Sequence, residues 1–270
     1  MFVSEFAVSM VSIKGGPMVE LIKIESIKEF ILDINKQFLK KVDIFASIDS
    51  TNTYLLNSAK KNPISGHICL AEEQTAGRGR QGRVWYSPKH SNIYCSLLWC
   101  FRDAMADIAN LSLAVAVMVS RALRHYTLDV QLKWPNDIFI QGRKVAGILL
   151  ERAGFAVVIG VGVNLYLPET LTQSWMGLNE IISVSRNELT GLLINELLAG
   201  VSCYEKSGFD SFYQEWQQQD FLVGKKISLQ LPKNIVSGVV QGVNEQGELI
   251  LQMEDGAREF FRCGEVNIIK

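Results

Sequence analysis

Residues 130–163 read VQLKWPNDIFIQGRKVAGILLERAGFAVVIGVGV. Strand-like runs at Val130 to Trp134, Asp137 to Ile140, Lys144 to Leu150 and Phe155 to Val163 are joined by a Gln141-Gly142 turn and a turn near Gly154. Turns this short join antiparallel neighbours, because parallel strands need a crossover of roughly a dozen residues or more. The stretch therefore predicts a β-meander. Outward from it, Val42 to Ile48, His67 to Ala71 and Asn92 to Phe101 read as strands, and Ile108 to His125, rich in Ala, Val and Leu, as a buried helix. Asp49-Ser50-Thr51-Asn52 supplies capping residues for a helix over Tyr54 to Lys61. Ile27, Phe30, Ile31, Ile34 and Phe38, three or four residues apart, predict one amphipathic helix over Ile27 to Lys40. Ser185-x-x-Glu188 spells a capping box before Leu189, Leu192, Leu193, Leu197 and Val201, and Phe209 to Gln219 continues helically. The expected class is α+β, a meander with helices packed on one side.

From about Val223 the texture changes to short strands, Lys226 to Leu231, Ile235 to Val243, Glu248 to Met253, Ala257 to Phe261 and Val266 to Ile269, separated by Gly or Asn turns. So short a piece suits a small barrel leaning on the main domain. The expected division is an extension over 1–20, a main domain over 21–222 and a terminal domain over 223–270. Met18, just after Gly15-Gly16-Pro17, is a candidate initiator.

The chain has 270 residues, with 27 Lys+Arg against 28 Asp+Glu and a formal net charge of −1. No global positive field exists to hold nucleic acid or an anionic membrane, so any anion site must be local. Its longest apolar stretches, Ile108 to Ser120 and Ala153 to Leu167, fall short of the roughly 18–20 residues that span a bilayer. Glu5 and the lack of a basic start argue against a secretory signal, so a cytoplasmic location and no membrane contact are expected. Cys69, Cys95, Cys100, Cys203 and Cys263 show no C-x-x-C spacing, which leaves neither a disulfide framework nor a structural zinc.

Four clusters carry chemistry. Gly77-Arg78-Gly79-Arg80-Gln81-Gly82-Arg83 concentrates three glycines and three arginines in seven residues. Glycines let backbone approach a ligand, and guanidinium groups bind carboxylate or phosphate bidentately. The spelling satisfies G-x-G-x-x-G, and Asp103 stands about where a ribose-binding acid would. A dinucleotide turn must open a helix, however, and only Val84 to Ser91, containing Pro88, separates this loop from a strand. A solvated basic loop or an RNA contact is the competing reading. The other clusters are Lys133-Trp134-Pro135-Asn136-Asp137 with Lys144, Gly160-Val161-Gly162-Val163-Asn164, and Asp49-Ser50-Thr51-Asn52. A turn, a β-bulge and a helix cap account for them equally well one at a time.

In this order and spacing the four resemble the biotin protein ligase family, from about Leu21 to the C-terminus. The Gly-Arg-Gly-Arg-x-Gly-Arg loop followed by Trp85, and Lys-Trp-Pro-Asn-Asp followed by Arg-Lys-Val-Ala-Gly, carry the likeness. The resemblance implies a catalytic domain similar to class II aminoacyl-tRNA synthetases, with a mixed, largely antiparallel sheet, and an SH3-like C-terminal barrel. It implies ATP, biotin and Mg²⁺, biotinyl-5′-AMP as the intermediate, and a lysine of the biotin carboxyl carrier protein of acetyl-CoA carboxylase as acceptor. Ser50, Thr51, Asn52, Gln74, Arg78, Gly79, Arg80, Trp85, Lys144 and Gly147 fall at biotin-contacting positions. Arg78, Arg80, Arg83, Lys133, Asn136, Gly162, Asn164 and Trp175 are expected to serve ATP. Lys144, Arg80 and Asp137 are expected to carry the catalysis, with Asp137 toward Mg²⁺.

Lipoate–protein ligase is the enzymatic alternative, lacking the arginine-glycine loop, and an RNA-binding module the non-enzymatic one. With only 48 residues ahead of Asp49 and a single lysine, Lys14, in Met1 to Glu20, no DNA reader is expected. The oligomeric state, a homodimer included, stays open.

Overall fold

The computed structural model describes residues 10–12, 18–102, 110–171 and 174–269; Gly15, Gly16, Pro17, Asp103 and Ile108 lie outside them. A hairpin of β1 (Met10–Ser12) and β2 (Met18–Glu20) precedes two short helices, α1 (Ile24–Glu29) and α2 (Asp33–Lys36). Then come β3 (Lys41–Phe45), α3 (Thr51–Lys61), β4 (His67–Ala71), β5 (Ile93–Cys100) and α4 (Leu111–Arg124). Four strands follow without a helix between them: β6 (Gln131–Lys133), β7 (Asp137–Ile140), β8 (Arg143–Ala153) and β9 (Ala156–Val163). They pair antiparallel in sequence, as the short turns predict. β9 returns against β5, and the seven-stranded order is β3-β4-β5-β9-β8-β7-β6. Among the described strands of this sheet β3 and β4 are the one parallel pair, with α3 as their crossover. The sheet is therefore mixed and largely antiparallel.

Two expectations need correction. The single helix over Ile27 to Lys40 is broken: α1 ends at Glu29, and Leu32 is extended at ψ 142° before α2 begins. The Asn195 side chain explains the break, because its Oδ1 accepts from the Leu32 backbone N–H at 3.0 Å and from Asn35 Nδ2 at 2.8 Å. Ile27 and Ile31 are buried, whereas Ile34 is 70% exposed. Helices also cover both faces of the sheet. α5 (Arg186–Ser207) and α6 (Asp210–Gln219) join α4 over Ile68, Leu70, Ile93, Leu97, Ile159 and Val161. On the opposite face Leu55 and Ala59 of α3 pack on Cys69, Leu98, Ala156 and Val158. Central strands apolar on both faces require this second cover.

The C-terminal strands, β10 (Lys226–Gln230), β11 (Ile235–Val243), β12 (Leu249–Gln252), β13 (Arg258–Phe261) and β14 (Glu265–Ile268), form an antiparallel sheet in the order β13-β12-β11-β10-β14. Ile227, Leu229, Val240 and Leu251 share one buried cluster with α4 and α6. Trp134 Nε1 donates to Gly247 O and Lys133 Nζ to Val266 O, both at 3.1 Å, so the turn after β6 is fastened to this sheet.

α3 is held to the β3–β4 edge by Asp43, which accepts from Tyr54 Oη at 2.7 Å and lies 2.8 Å from Nε2 of the buried His67. Burial raises the Asp43 carboxyl, but hydrogen bonds from Lys41, Tyr54 and His67 together outweigh it and hold the pKa at about 2. A carboxylate depressed in the folded state stabilises it above the unfolded pKa and loses that effect as pH falls through the folded one. The stability difference between the native chain and Asp43→Asn should therefore shrink by roughly 2 kcal/mol between pH 5 and pH 2 in urea titrations. A difference independent of pH would contradict the clamp.

Candidate active site

Strand alternation sends Ala156, Val158, Gly160 and Gly162 of β9 to the face that carries α3, and Val157, Ile159, Val161 and Val163 to the main core. α3 covers the first part of that face. Beyond it, Gly160, Gly162 and, on β8, Gly147 leave backbone without side chains. The ladders through Gly160 and Gly162 run without a shift of register, so no bulge explains these glycines. Close approach does. A Cβ on Gly162 would stand 2.5 Å from the Trp85 indole, one on Gly147 2.9 Å from it, and one on Gly160 2.3 Å from Asn52 Oδ1.

The arginine-glycine segment is a tight hairpin, with Trp85 N donating to Gly77 O at 2.9 Å and Gly79 N to Arg83 O at 2.7 Å. Its tip places Gln81 at φ 56° and Gly82 at φ 75°, the left-handed region that glycine enters at least cost. No helix follows it, as the position of Pro88 predicts. Its arginines reach three elements: Arg78 pairs with Glu151 of β8, Arg80 donates to Asn136 Oδ1 at 3.0 Å, and Arg83 pairs with Glu265 of β14. Trp85 lies across the bare strand face with Trp175 stacked beyond it, ring centroids 6.0 Å apart and planes 19° from parallel.

Hairpin, glycine face and C-terminal sheet enclose a cavity of about 790 Å³. Its floor is polar and buried. Thr51 N donates to Gln74 Oε1 at 3.0 Å, Gln74 Nε2 to Ser87 Oγ at 2.9 Å, and Ser96 Oγ lies 2.7 Å from Thr51 Oγ1 and 2.6 Å from Asn52 Oδ1. Ser50 caps α3, its side chain accepting from Thr53 N.

The Biotin/lipoate A/B protein ligase family profile matches residues 44–164, and the Biotin protein ligase C terminal domain profile matches residues 222–267. The bifunctional ligase/repressor BirA of Escherichia coli is 35% identical over 249 residues, covering 86% of this chain and 77% of that protein. The chain belongs to the biotin protein ligase family. A biotin–[acetyl-CoA-carboxylase] ligase of Mycobacterium tuberculosis is 30% identical over 230 residues, covering 79% of this chain and 84% of that one. The biotin protein ligase from Aquifex aeolicus, solved in complex with biotin and ATP, superposes with a TM-score of 0.75 at 26% identity, over 86% of this chain and 99% of that one.

In this ligase-family fold every site residue expected from the sequence lines the cavity except Asn164. Asn164 is 1% exposed at the end of β9, where its backbone bonds Val145 and Leu178. Trp175 does not sit in the core. Lys144 N donates to Ser174 O and Met176 N to Lys144 O, which appends the tryptophan's segment to β8 as a short extra strand.

Sequence reasoning missed Ser87, Ser96, Glu151 and Glu265. Ser96 carried a signal, a polar residue in the middle of an otherwise apolar strand; Glu151, beside Arg152 at the end of β8, reads as an ordinary strand-end charge. Glu265 carried none, because only the folded chain brings the C-terminal sheet to the hairpin.

The electrostatics favour an anion. Lys144 Nζ lies 2.6 Å from Asp137 Oδ1 and 5.3 Å from the Trp85 ring centroid. Burial pulls the Lys133 ammonium below the usual lysine range, with Asp137 opposing and Lys144 reinforcing the effect. Burial likewise lowers Arg80, again against Asp137. Lys133, Lys144 and Arg80 thus share one carboxylate. An arriving anion supplies the missing countercharge.

Gly162→Ala is expected to push the indole off the strand at an overpacking cost of about 1–3 kcal/mol. The readout is a red-shifted tryptophan emission that iodide quenches more readily; an emission identical to the native one would contradict the close approach.

Proposed function

We propose that this chain is an ATP-dependent biotin protein ligase. The observation that carries the reading is the joining, in one cavity, of a buried hydroxyl-and-amide floor with a cluster of under-compensated cations beneath an arginine-glycine hairpin. A fused ureido ring offers one carbonyl and two N–H groups to such a floor, and a carboxylate and a triphosphate need such cations where they meet. The Mycobacterium tuberculosis and Aquifex aeolicus proteins named above are biotin ligases, which supports the same assignment over lipoate; a dithiolane ring offers that floor neither N–H donors nor a carbonyl acceptor. An RNA-binding role is poorly supported, because a chain of formal net charge −1 offers no extended basic surface to follow a phosphate backbone.

On this reading the biotin carboxylate displaces pyrophosphate from the α-phosphorus of ATP, giving biotinyl-5′-AMP. The neutral amine of a carrier-protein lysine then displaces AMP, forms the amide and sheds a proton. Ser50, Thr51, Asn52 and Gln74 hold the ureido ring, with Trp85 and Gly147 as the apolar wall. Lys144 serves the carboxylate and then the mixed anhydride, exchanging its contact with Asp137 for the ligand. Arg78, Gly79, Arg80, Arg83 and Lys133 face the phosphates, Gly162 leaves room for the Trp85 indole, and Trp175 stacks on adenine with Asn136 beside the nucleotide.

Among the described residues no cluster of three His, Cys, Asp or Glu could hold a metal by itself. Asp137 and Asn136 suit Mg²⁺ that arrives on the triphosphate, since that ion is held by one or two carboxylates plus phosphate oxygens. Bound there it would neutralise phosphate charge. The acceptor is a biotin carboxyl carrier protein such as that of acetyl-CoA carboxylase. Among the described residues no helix is long and apolar enough to cross a membrane, and we assign the reaction to the cytoplasm, where ATP is made available. We divide the chain into an extension over 1–20, a catalytic domain of class II synthetase type over 21–222 and an SH3-like domain over 223–270.

The test is biotin-dependent exchange of labelled pyrophosphate into ATP. Lys144→Ala should lose about 10²–10³ in rate, whereas Lys61→Ala, on the exposed last turn of α3, should exchange at the native rate. Exchange driven by lipoate and not by biotin, or equal rates for the two variants, would overturn the reading.

A further inference from the structure

A continuous hydrogen-bonded circuit runs beneath the cavity from one arm of the hairpin to the other. Arg78, on the first arm, pairs with Glu151, and the same Oε2 accepts from Asn52 Nδ2 at 2.9 Å. Asn52 Oδ1 lies 2.6 Å from Ser96 Oγ, which lies 2.7 Å from Thr51 Oγ1. Thr51 Oγ1 donates to Gln74 Oε1 at 3.1 Å, Gln74 Nε2 to Ser87 Oγ at 2.9 Å, and Ser87 Oγ to the carbonyl of Trp85 on the second arm, also at 2.9 Å. Glu151 is where the hairpin's charge meets this circuit. Strand alternation puts it on the face of β8 that also carries Gly147, and Asn52, at 4% exposure, has no room to turn away, pressed against Gly160 on one side and donating to Leu149 O on the other.

We propose that Glu151 is a positioning residue that couples closure of the Gly77–Trp85 hairpin to the arrangement of the polar floor. One carboxylate oxygen takes two donors, a guanidinium and an amide, as an acceptor-only group can. Docking Arg78 on Glu151 brings the hairpin down. The same contact fixes the Asn52 amide with its N–H₂ toward Glu151 and its carbonyl toward Ser96 and the floor. An ordered floor, in turn, holds the carboxylate where Arg78 finds it. The proposal rests on the biotin-ligase reading for its substrate, whereas the coupling itself concerns the free chain.

Glu151→Gln keeps shape and an acceptor oxygen for Asn52 while removing the charge that holds Arg78. The loss of one charge-assisted contact is expected to raise the KM for biotin in pyrophosphate exchange about tenfold, with kcat within about threefold and an unchanged Tm. In the free protein, trypsin should cut after Arg80 and Arg83 about tenfold faster than in the native chain. Combining the change with Arg78→Ala should add nothing beyond Arg78→Ala alone, because both remove one interaction. A native cleavage rate in Glu151→Gln overturns the coupling whatever the kinetics. So does full additivity with Arg78→Ala, or a loss of kcat that follows a lowered Tm. If the native chain shows no biotin-dependent exchange, the functional reading falls, and the cleavage rates alone decide the coupling.

Discussion

The bare strand face at Gly147, Gly160 and Gly162 is the constraint from which the site follows. A strand's two-residue period lets β9 do two things at once, packing Val157, Ile159 and Val161 into the core while withholding side chains from the other face. Had those positions carried even a methyl group, neither the Trp85 indole nor the Asn52 amide would fit where it lies. Glycine weakens a strand interior. Here that weakness is offset by ladders on both sides, β5 and β8, so the central strand stays ordered without side-chain packing over the bare half of that face.

From that face outward each layer is positioned by the one beneath it. α3 covers the apolar half and begins at Ser50, so its first turn delivers Thr51 and Asn52 to the edge of the bare half. The hairpin lies over the rest, and its arginines reach three separate elements, so its closure depends on the whole domain and on the C-terminal sheet at Glu265. The charge balance has the same logic. In a chain of net charge −1, the cavity gathers Lys133, Lys144 and Arg80 around Asp137 and buries two of them deeply enough to lower their affinity for protons. Such a site is uncomfortable until an anion enters. That is what a reaction between a carboxylate and a triphosphate asks of it.

Much of this was legible in the sequence because the signals were local. The turns at Gln141-Gly142 and Gly154 dictate antiparallel strands whatever the rest of the chain does, and the glycine-arginine spacing marks an anion site before any fold is known. What stayed hidden depends on contacts distant in sequence. The helix over Ile27 to Lys40 has the right period but yields to Asn195, some 160 residues away, whose side chain satisfies the backbone where the helix breaks. The second face of the sheet was missed because strands apolar on both sides have no alternation to show which side α3 takes. Glycines at 160 and 162 are compatible with a bulge until the fold lays Asn52 on the first and Trp85 on the second, each more than 70 residues earlier in the chain. Ser96 is a single polar residue in an apolar strand and Glu151 one of several charges at the ends of β8, and their meaning appears only when α3 and the hairpin converge on them.

The central claim is that the polar floor of Ser50, Thr51, Asn52 and Gln74, backed by Ser96, reads a ring with both carbonyl and N–H groups, held under the hairpin. Equilibrium titration calorimetry of the purified chain with biotin and, separately, with lipoate tests it most directly. The account predicts saturable one-to-one binding of biotin and at least about 10³-fold weaker binding of lipoate, whose dithiolane ring has neither N–H donors nor a carbonyl to exchange hydrogen bonds with the floor. Lipoate bound as tightly as biotin would contradict it.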